Sequence, residues 1–152
     1  MEVPEFADLQ TEFMRRVSQA VYCAMATVDR QGRPRSRIVH PVWEGPTGWV
    51  ISRRLSPKAN HLQSNPHVSL AYIQDKDKPV YVDCTAAWVD DPAGKQRTWD
   101  LLKATPAPLG FDPAPFYRGI DDPNFGVLTL TPWRVELYTL GGEPVIWRQP
   151  EN

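Results

Sequence analysis

The sequence has little of several things that would fix a function class at once. It holds only two cysteines, Cys23 and Cys84, in apolar stretches far apart along 152 residues. With no signal peptide evident, they read as two buried, reduced thiols rather than a disulfide. No apolar run approaches the ~20 residues of a membrane span, which makes the cytoplasm the simplest placement. Histidine is scarce as well. His40, His61 and His67 show no zinc-ligand spacing, so no metal is expected. The chain also lacks the G-x-S-x-G elbow of a serine hydrolase. Charge of either sign is not in excess, with 17 basic and 18 acidic residues and a net charge of −1.

What is plentiful is proline and tryptophan, 16 and 6 residues. Proline breaks elements and shapes loops. Tryptophan buries a large surface and presents a planar face. The two together predict many short elements and aromatic groups able to cover a planar ligand.

The hydrophobic pattern fills in the elements. Phe6, Leu9, Phe13, Val17 and Ala20 recur at helical spacing and predict a packing helix over one end of the fold. Tyr22 to Val28, Pro34 to Val42, Trp49 to Ser52, Val68 to Ile73 and Val80 to Val89 read as strands, separated by turns at Asp29–Gly32, Glu44–Gly48 and Asp75–Pro79. Ser56 and Pro57 open a short helix, as N-cap and first helical residue. Asp91 and Pro92 open another that runs to about Lys103, with Trp99 and Leu102 toward the core. A proline-rich segment from Thr105 to Gly126 reads as a long loop, a length that commonly marks function. Val127 to Thr131 and Arg134 to Leu140 read as two last strands, followed by a turn into Pro144–Trp147. Six or seven strands in hairpin order with two or three helices predict a mainly β fold: a single domain over 1–152, an antiparallel barrel with capping helices.

The charge is unevenly spread. Between Arg30 and His61 stand seven basic residues and one acid, Glu44. A basic segment inside an otherwise acidic chain argues for a local anion site rather than a nucleic-acid surface. Arg35-Ser36-Arg37 and Ser52-Arg53-Arg54-Leu55-Ser56-Pro57-Lys58 supply forked donors, hydroxyls and the amides that open a helix, which is what a phosphate needs. By composition alone, a solvated basic strand explains these residues equally well.

The run Gly32–Val39, then Ser52–Ala59, then Leu62–Leu70 resembles the pyridoxamine phosphate oxidase-like superfamily of flavin-binding split barrels, and the resemblance extends from about Tyr22 to Trp147. It implies a dimeric split barrel with two FMN molecules at the subunit interface. It implies that Arg37-Ile38-Val39 runs beside the flavin, with Ile38 and Val39 against the isoalloxazine, and that Ser56-Pro57-Lys58-Ala59 holds the phosphate together with Arg37, Ser52 and Arg53. His40, just beyond, is placed to approach the ring or its tail. Tyr138 and Trp147 are implied to cover the flavin from the partner subunit, while Trp133 is expected to be a packing residue. The expected function is a flavin-dependent oxidoreductase acting on a small molecule, with no catalytic residue nominated. Two alternatives stand beside it: a reductase using the deazaflavin coenzyme F-420, for which Arg33, Arg35, Arg53 and Arg54 would supply extra positive charge, and a flavin- or haem-binding stress protein without turnover. True pyridoxamine phosphate oxidases carry an Arg and a His after the last turn. Here those positions hold Val145 and Trp147, so oxidation of pyridoxamine phosphate itself is not expected.

Overall fold

The computed structural model describes residues 1–151. The first helix, α1 (Ala7–Ala20), follows a two-residue strand, β1 (Glu2–Val3). Its spacing of apolar residues buries Leu9, Phe13 and Val17. Phe13 meets Phe6 edge-on at 5.5 Å and Trp43 at 5.1 Å. Arg16, buried on the same helix, donates to the carbonyls of Tyr138 at 2.6 Å and Pro79 at 3.3 Å, fastening α1 to the chain ends of the sheet.

Then come β2 (Cys23–Val28), β3 (Pro34–Val39), β4 (Val42–Glu44), β5 (Thr47–Arg53), α2 (Pro57–Ser64), β6 (His67–Tyr72), β7 (Val80–Trp88), α3 (Pro92–Ala104), β8 (Phe125–Leu137) and β9 (Val145–Arg148). Asp91 caps α3 by accepting from the Gly94 amide at 2.8 Å. Burial alternates along β2 and β7, as a half-buried strand requires. Val, Leu, Met and Cys side chains from β2, β5, β6, β7 and β8 fill one core that also takes in Trp43, Tyr72 and Trp147. Cys23 and Cys84 are buried free thiols within it. Burial pushes the Cys23 thiol up to about 12, so it stays protonated.

The strand count departs from the expectation of six or seven antiparallel strands. Among the described residues nine strands form one mixed sheet, in the order β1-β9-β8-β7-β6-β2-β3, with β5 joining β8 and β4 joining β5. The two strands expected across residues 127–140 are one long strand. Pro132 does not split it, because the β7–β8 register shifts between Asp83 and Cys84 and takes up the missing donor. The long strand serves two partners on one edge, β5 along its first half and β9 along its second. β1 pairs in parallel with β9, a contact too short to leave a pattern in the sequence. Trp133, expected to pack, is 40% exposed on the outer face.

The expected single strand from Pro34 to Val42 is also divided, at His40–Pro41. Before the break β3 pairs with β2. After it β4 pairs with β5, and that ladder ends at Val42↔Trp49. Residues 50–53 of β5 therefore pair only with β8, and β3 pairs only with β2. The sheet does not close on itself there, and a seam runs between β3 and β5.

Candidate functional site

The seam carries two chemically opposite sites. At one end stand the cations. Arg37 leaves β3, and its Nη1 donates to Oγ1 of Thr27 at 2.8 Å. Thr27 is wholly buried on β2. Its Oγ1 also lies 3.0 Å from Nδ1 of His61 on α2. The hydroxyl accepts from Arg37, which leaves its proton for the imidazole. Lys58, in the first turn of α2, donates through Nζ to Oγ of Ser52 on β5. Its side chain is buried, and no carboxylate pairs with it or with Arg37 among the described residues. Burial, with Arg37 nearby, lowers the Lys58 ammonium to about 8. Burial also lowers Arg37, with Arg35 adding to the effect.

A buried cation without a counter-ion is unfavourable in the cofactor-free chain. Ser56 adds a second such cost. It occupies the N-cap of α2 but bonds no helix amide, and its Oγ is buried without a partner. Two converging cations, the Ser52 hydroxyl, an unsatisfied Ser56 hydroxyl and the start of an eight-residue helix fit an incoming phosphate. These residues suit the phosphate end of FMN.

Gly126 of β8 helps set this end. It pairs with Ser52, and a Cβ there would stand 2.5 Å from the Ser52 carbonyl oxygen and 2.6 Å from the Trp88 ring.

At the other end, about 10 Å farther along β3, the seam opens into an apolar cleft of about 430 Å³. Its walls are Tyr22, His40, Ile51, Pro108, Phe111, Phe116 and Tyr117. The proline-rich segment supplies the outer wall. His40 lies between the rings of Tyr22 at 5.1 Å and Phe111 at 4.9 Å. Its Nε2 stands 2.7 Å from the Leu109 carbonyl, so this nitrogen carries the proton and donates it. Burial lowers the imidazole below its ordinary value.

The structure thus brings together Arg37, Ser52, Ser56, Pro57 and Lys58. It sets Ile38, 69% exposed, and buried Val39 on the strand between the two ends, with His40 in the cleft. Arg53 is exposed and lies near Tyr117. Arg54 does not join the cations: it pairs with Asp90 at 2.9 Å and stacks over Trp88 at 4.6 Å.

Tyr138 and Trp147 stand elsewhere. Trp147 corrects the expectation most directly. Its ring is buried in the core of its own chain, edge-on to Phe6 at 5.5 Å, rather than exposed toward a partner subunit. Tyr138 follows β8, at the end that Arg16 fastens.

Thr27 and His61 were not legible as site residues. His61 looks like a surface residue in the sequence, and only the packing of α2 on β2 puts it behind Arg37. The aromatic residues of the cleft gave one signal, their concentration in the long proline-rich loop.

The comparisons with known proteins concern the family and the fold. The family model for pyridoxamine 5'-phosphate oxidase matches residues 9–139. A pyridoxamine 5'-phosphate oxidase-related, FMN-binding protein from Nostoc punctiforme is 20% identical, with a TM-score of 0.65, over 93% of this chain and 87% of that one. The haem storage protein HutZ from Vibrio cholerae is 22% identical, with a TM-score of 0.61, over 82% of this chain and 89% of that one. An F-420 reductase is 17% identical, with a TM-score of 0.60, over 80% of this chain and 94% of that one. At these identities the likeness is one of fold. A search of curated proteins gives no match. With most of its length matched by that family model, the chain belongs to the pyridoxamine 5'-phosphate oxidase family.

Proposed function

We propose that this protein is a flavin-dependent oxidoreductase that binds FMN along the seam between β3 and β5, as a homodimer, and acts on a small molecule other than pyridoxamine phosphate. One observation carries the reading: among the described residues Lys58 is a buried cation with no carboxylate beside it, next to a buried Ser56 hydroxyl with no partner. Both costs are relieved by a phosphate.

Flavin, when bound, supplies the electron chemistry. The chain's own residues bind and orient. Arg37, Lys58, Ser52 and Ser56 hold the phosphate, with Arg53 at the rim. Thr27 and His61 hold Arg37. Ile38 and Val39 present strand backbone and apolar surface, and His40 bounds the far end. The exposed side chains of Tyr22, Ile38 and Phe116 give the seam an apolar rim for a second copy to cover.

The test is the absorption spectrum of the purified protein, with mass analysis of the released ligand. A flavin spectrum and released FMN support the reading. Unchanged FMN affinity in an Arg37→Ala, Lys58→Met double variant would sink it.

A second reading has its own observation. A hollow of about 390 Å³ lined by Asp29, Arg30, Gln31, Arg33, Arg35, Pro57, Asn60 and His61 adjoins the cation cluster, with Arg33 paired to Asp29 at 2.8 Å. It suits a cofactor with a longer anionic tail, such as the deazaflavin coenzyme F-420. Tighter binding of that cofactor than of FMN would select it. A third, non-catalytic role as a flavin- or haem-binding protein draws support from the haem storage neighbour. Bound flavin that no acceptor reoxidises would favour it.

A further inference from the structure

We infer that His61 is a proton-linked positioning residue: it holds Arg37 through the Thr27 hydroxyl, and a proton on its imidazole tightens the grip of the Arg37 and Lys58 cluster on a phosphate. The identity of the phosphate carrier rests on the flavin reading; the link between proton and anion rests on the cluster.

A chain of hydrogen bonds joins the three residues. Arg37 donates through Nη1 to Oγ1 of Thr27 at 2.8 Å, and that oxygen stands 3.0 Å from Nδ1 of His61. Thr27 is wholly buried, so solvent does not reach its hydroxyl. A hydroxyl has one proton to give. Its oxygen accepts from Arg37, and among the described residues Nδ1 of His61 is the acceptor for its proton. Every group is satisfied only when His61 is neutral and carries its own proton on Nε2. A proton added to Nδ1 turns that nitrogen into a donor. Oγ1 then accepts from both sides, and the buried hydroxyl proton loses its acceptor, which is unfavourable.

The charges around His61 set the sign of the link. Lys58 stands three residues earlier on α2, and so on a neighbouring part of the same helix face. Arg37 lies beyond Thr27. The hollow that His61 borders also takes in Asp29, Arg30, Arg33 and Arg35, and Asp29 is already paired with Arg33 at 2.8 Å. An imidazolium would therefore join Arg30, Arg35, Arg37 and Lys58 with no unpaired carboxylate among the residues of the hollow. A dianion seated on Arg37 and Lys58 reverses this, because the imidazolium then faces charge of opposite sign. The hydrogen bond that Thr27 loses is lost with or without the anion, so it does not enter the coupling. Anion binding and proton binding at His61 favour each other, and reciprocally so. Affinity for a phosphate rises as pH falls through the range in which a histidine titrates, about 5 to 8.

The test uses the full chain. The ring signals of His61, assigned by their loss in His61→Asn, are titrated by NMR in saturating sodium sulfate and in sodium chloride of equal ionic strength. Sulfate stays a dianion throughout, whereas a phosphate ester takes up a proton near pH ~6. The His61 midpoint should move up by about 0.7 pH unit in sulfate, which is a fivefold coupling. The midpoint of exposed His67 should stay in place. FMN affinity, read by quenching of flavin emission from about pH 8 to pH 6, should rise in the wild-type chain relative to His61→Asn by up to about fivefold. Lys58, lowered to about 8, and the FMN phosphate titrate in both proteins, so the ratio isolates His61. Asparagine offers an oxygen near the place of Nδ1 and no proton to titrate. Leucine offers neither, so His61→Leu should bind FMN about fivefold more weakly than His61→Asn at the alkaline end, as one neutral hydrogen bond is worth.

A His61 midpoint that sulfate leaves in place or lowers would overturn the inference. A constant ratio of wild-type to His61→Asn affinity, with FMN bound by both, would also overturn it and leave the flavin reading standing. Equal FMN affinity of His61→Leu and His61→Asn at the alkaline end would overturn the positioning role through Thr27. Failure of FMN to bind while sulfate raises the His61 midpoint would remove the flavin reading and leave a proton-linked anion site.

Discussion

Lys58 of α2 donates a hydrogen bond to Ser52 of β5, and this bond bridges two elements that the sheet itself does not join. A lysine held this way, buried and without an acid among the described residues, is an arrangement that the fold maintains at a cost.

That cost sets the first prediction. Lys58→Met should stabilise the cofactor-free chain at pH 7 by up to about 3 kcal/mol, because it removes a buried charge whose ionisation burial disfavours. The sign follows from the shift. Lys58 is lowered to about 8 in the fold against 10.5 unfolded, so above pH 8 the unfolded chain holds more protons than the folded one. The wild-type chain therefore gains stability from pH 8 to 10.5, and its deficit against the variant should close over that window. Thermal unfolding of both proteins at pH 7 and pH 10.5 measures it. A Lys58→Met chain less stable than wild type at pH 7 would contradict this account. The same variant should lose FMN.

Thr27→Val tests the support behind Arg37. Valine keeps the volume but removes the oxygen that Arg37 and His61 share. FMN affinity should fall about tenfold, the scale of a charge-assisted hydrogen bond. Riboflavin, which has no phosphate, should bind as before. An equal loss for both ligands would mean that Thr27 acts through general packing.

Gly126→Ala should be among the most damaging single-atom additions in the sheet. The new methyl group has no room between the Ser52 carbonyl and the Trp88 ring, so β5 must move from β8. Overpacking of this kind costs about 1–3 kcal/mol. Because Ser52 moves with β5, cofactor affinity should fall as well. Denaturant midpoints with flavin titration would show the two losses together.

Pyridoxamine phosphate should not be turned over. Val145 offers no charge, and Trp147 is buried against Phe6. Sustained formation of pyridoxal phosphate by the flavin-loaded protein would refute this.

The sequence by itself determined the local layer. The spacing of Leu9, Phe13 and Val17 set a helix. Asp91 capped α3 and Pro92 and Pro57 opened the first turns of α3 and α2, since capping and proline chemistry act within a few residues. The basic stretch with its Ser-Pro-Lys segment marked the candidate anion site, because the residue types a phosphate needs are few and lie close together along the chain. Tertiary structure decided what depends on distant segments meeting. It joined residues 125–137 into one strand through a register shift that Pro132 alone could not announce. It drew Trp147 into its own core, because Phe6 of the chain's other end packs there. It parted β3 from β5 and let the proline-rich loop close over the gap, which made a cleft around His40. Periodicity reports which face of an element is buried; it carries no record of which remote element does the burying, and the site at the seam is made of such remote meetings.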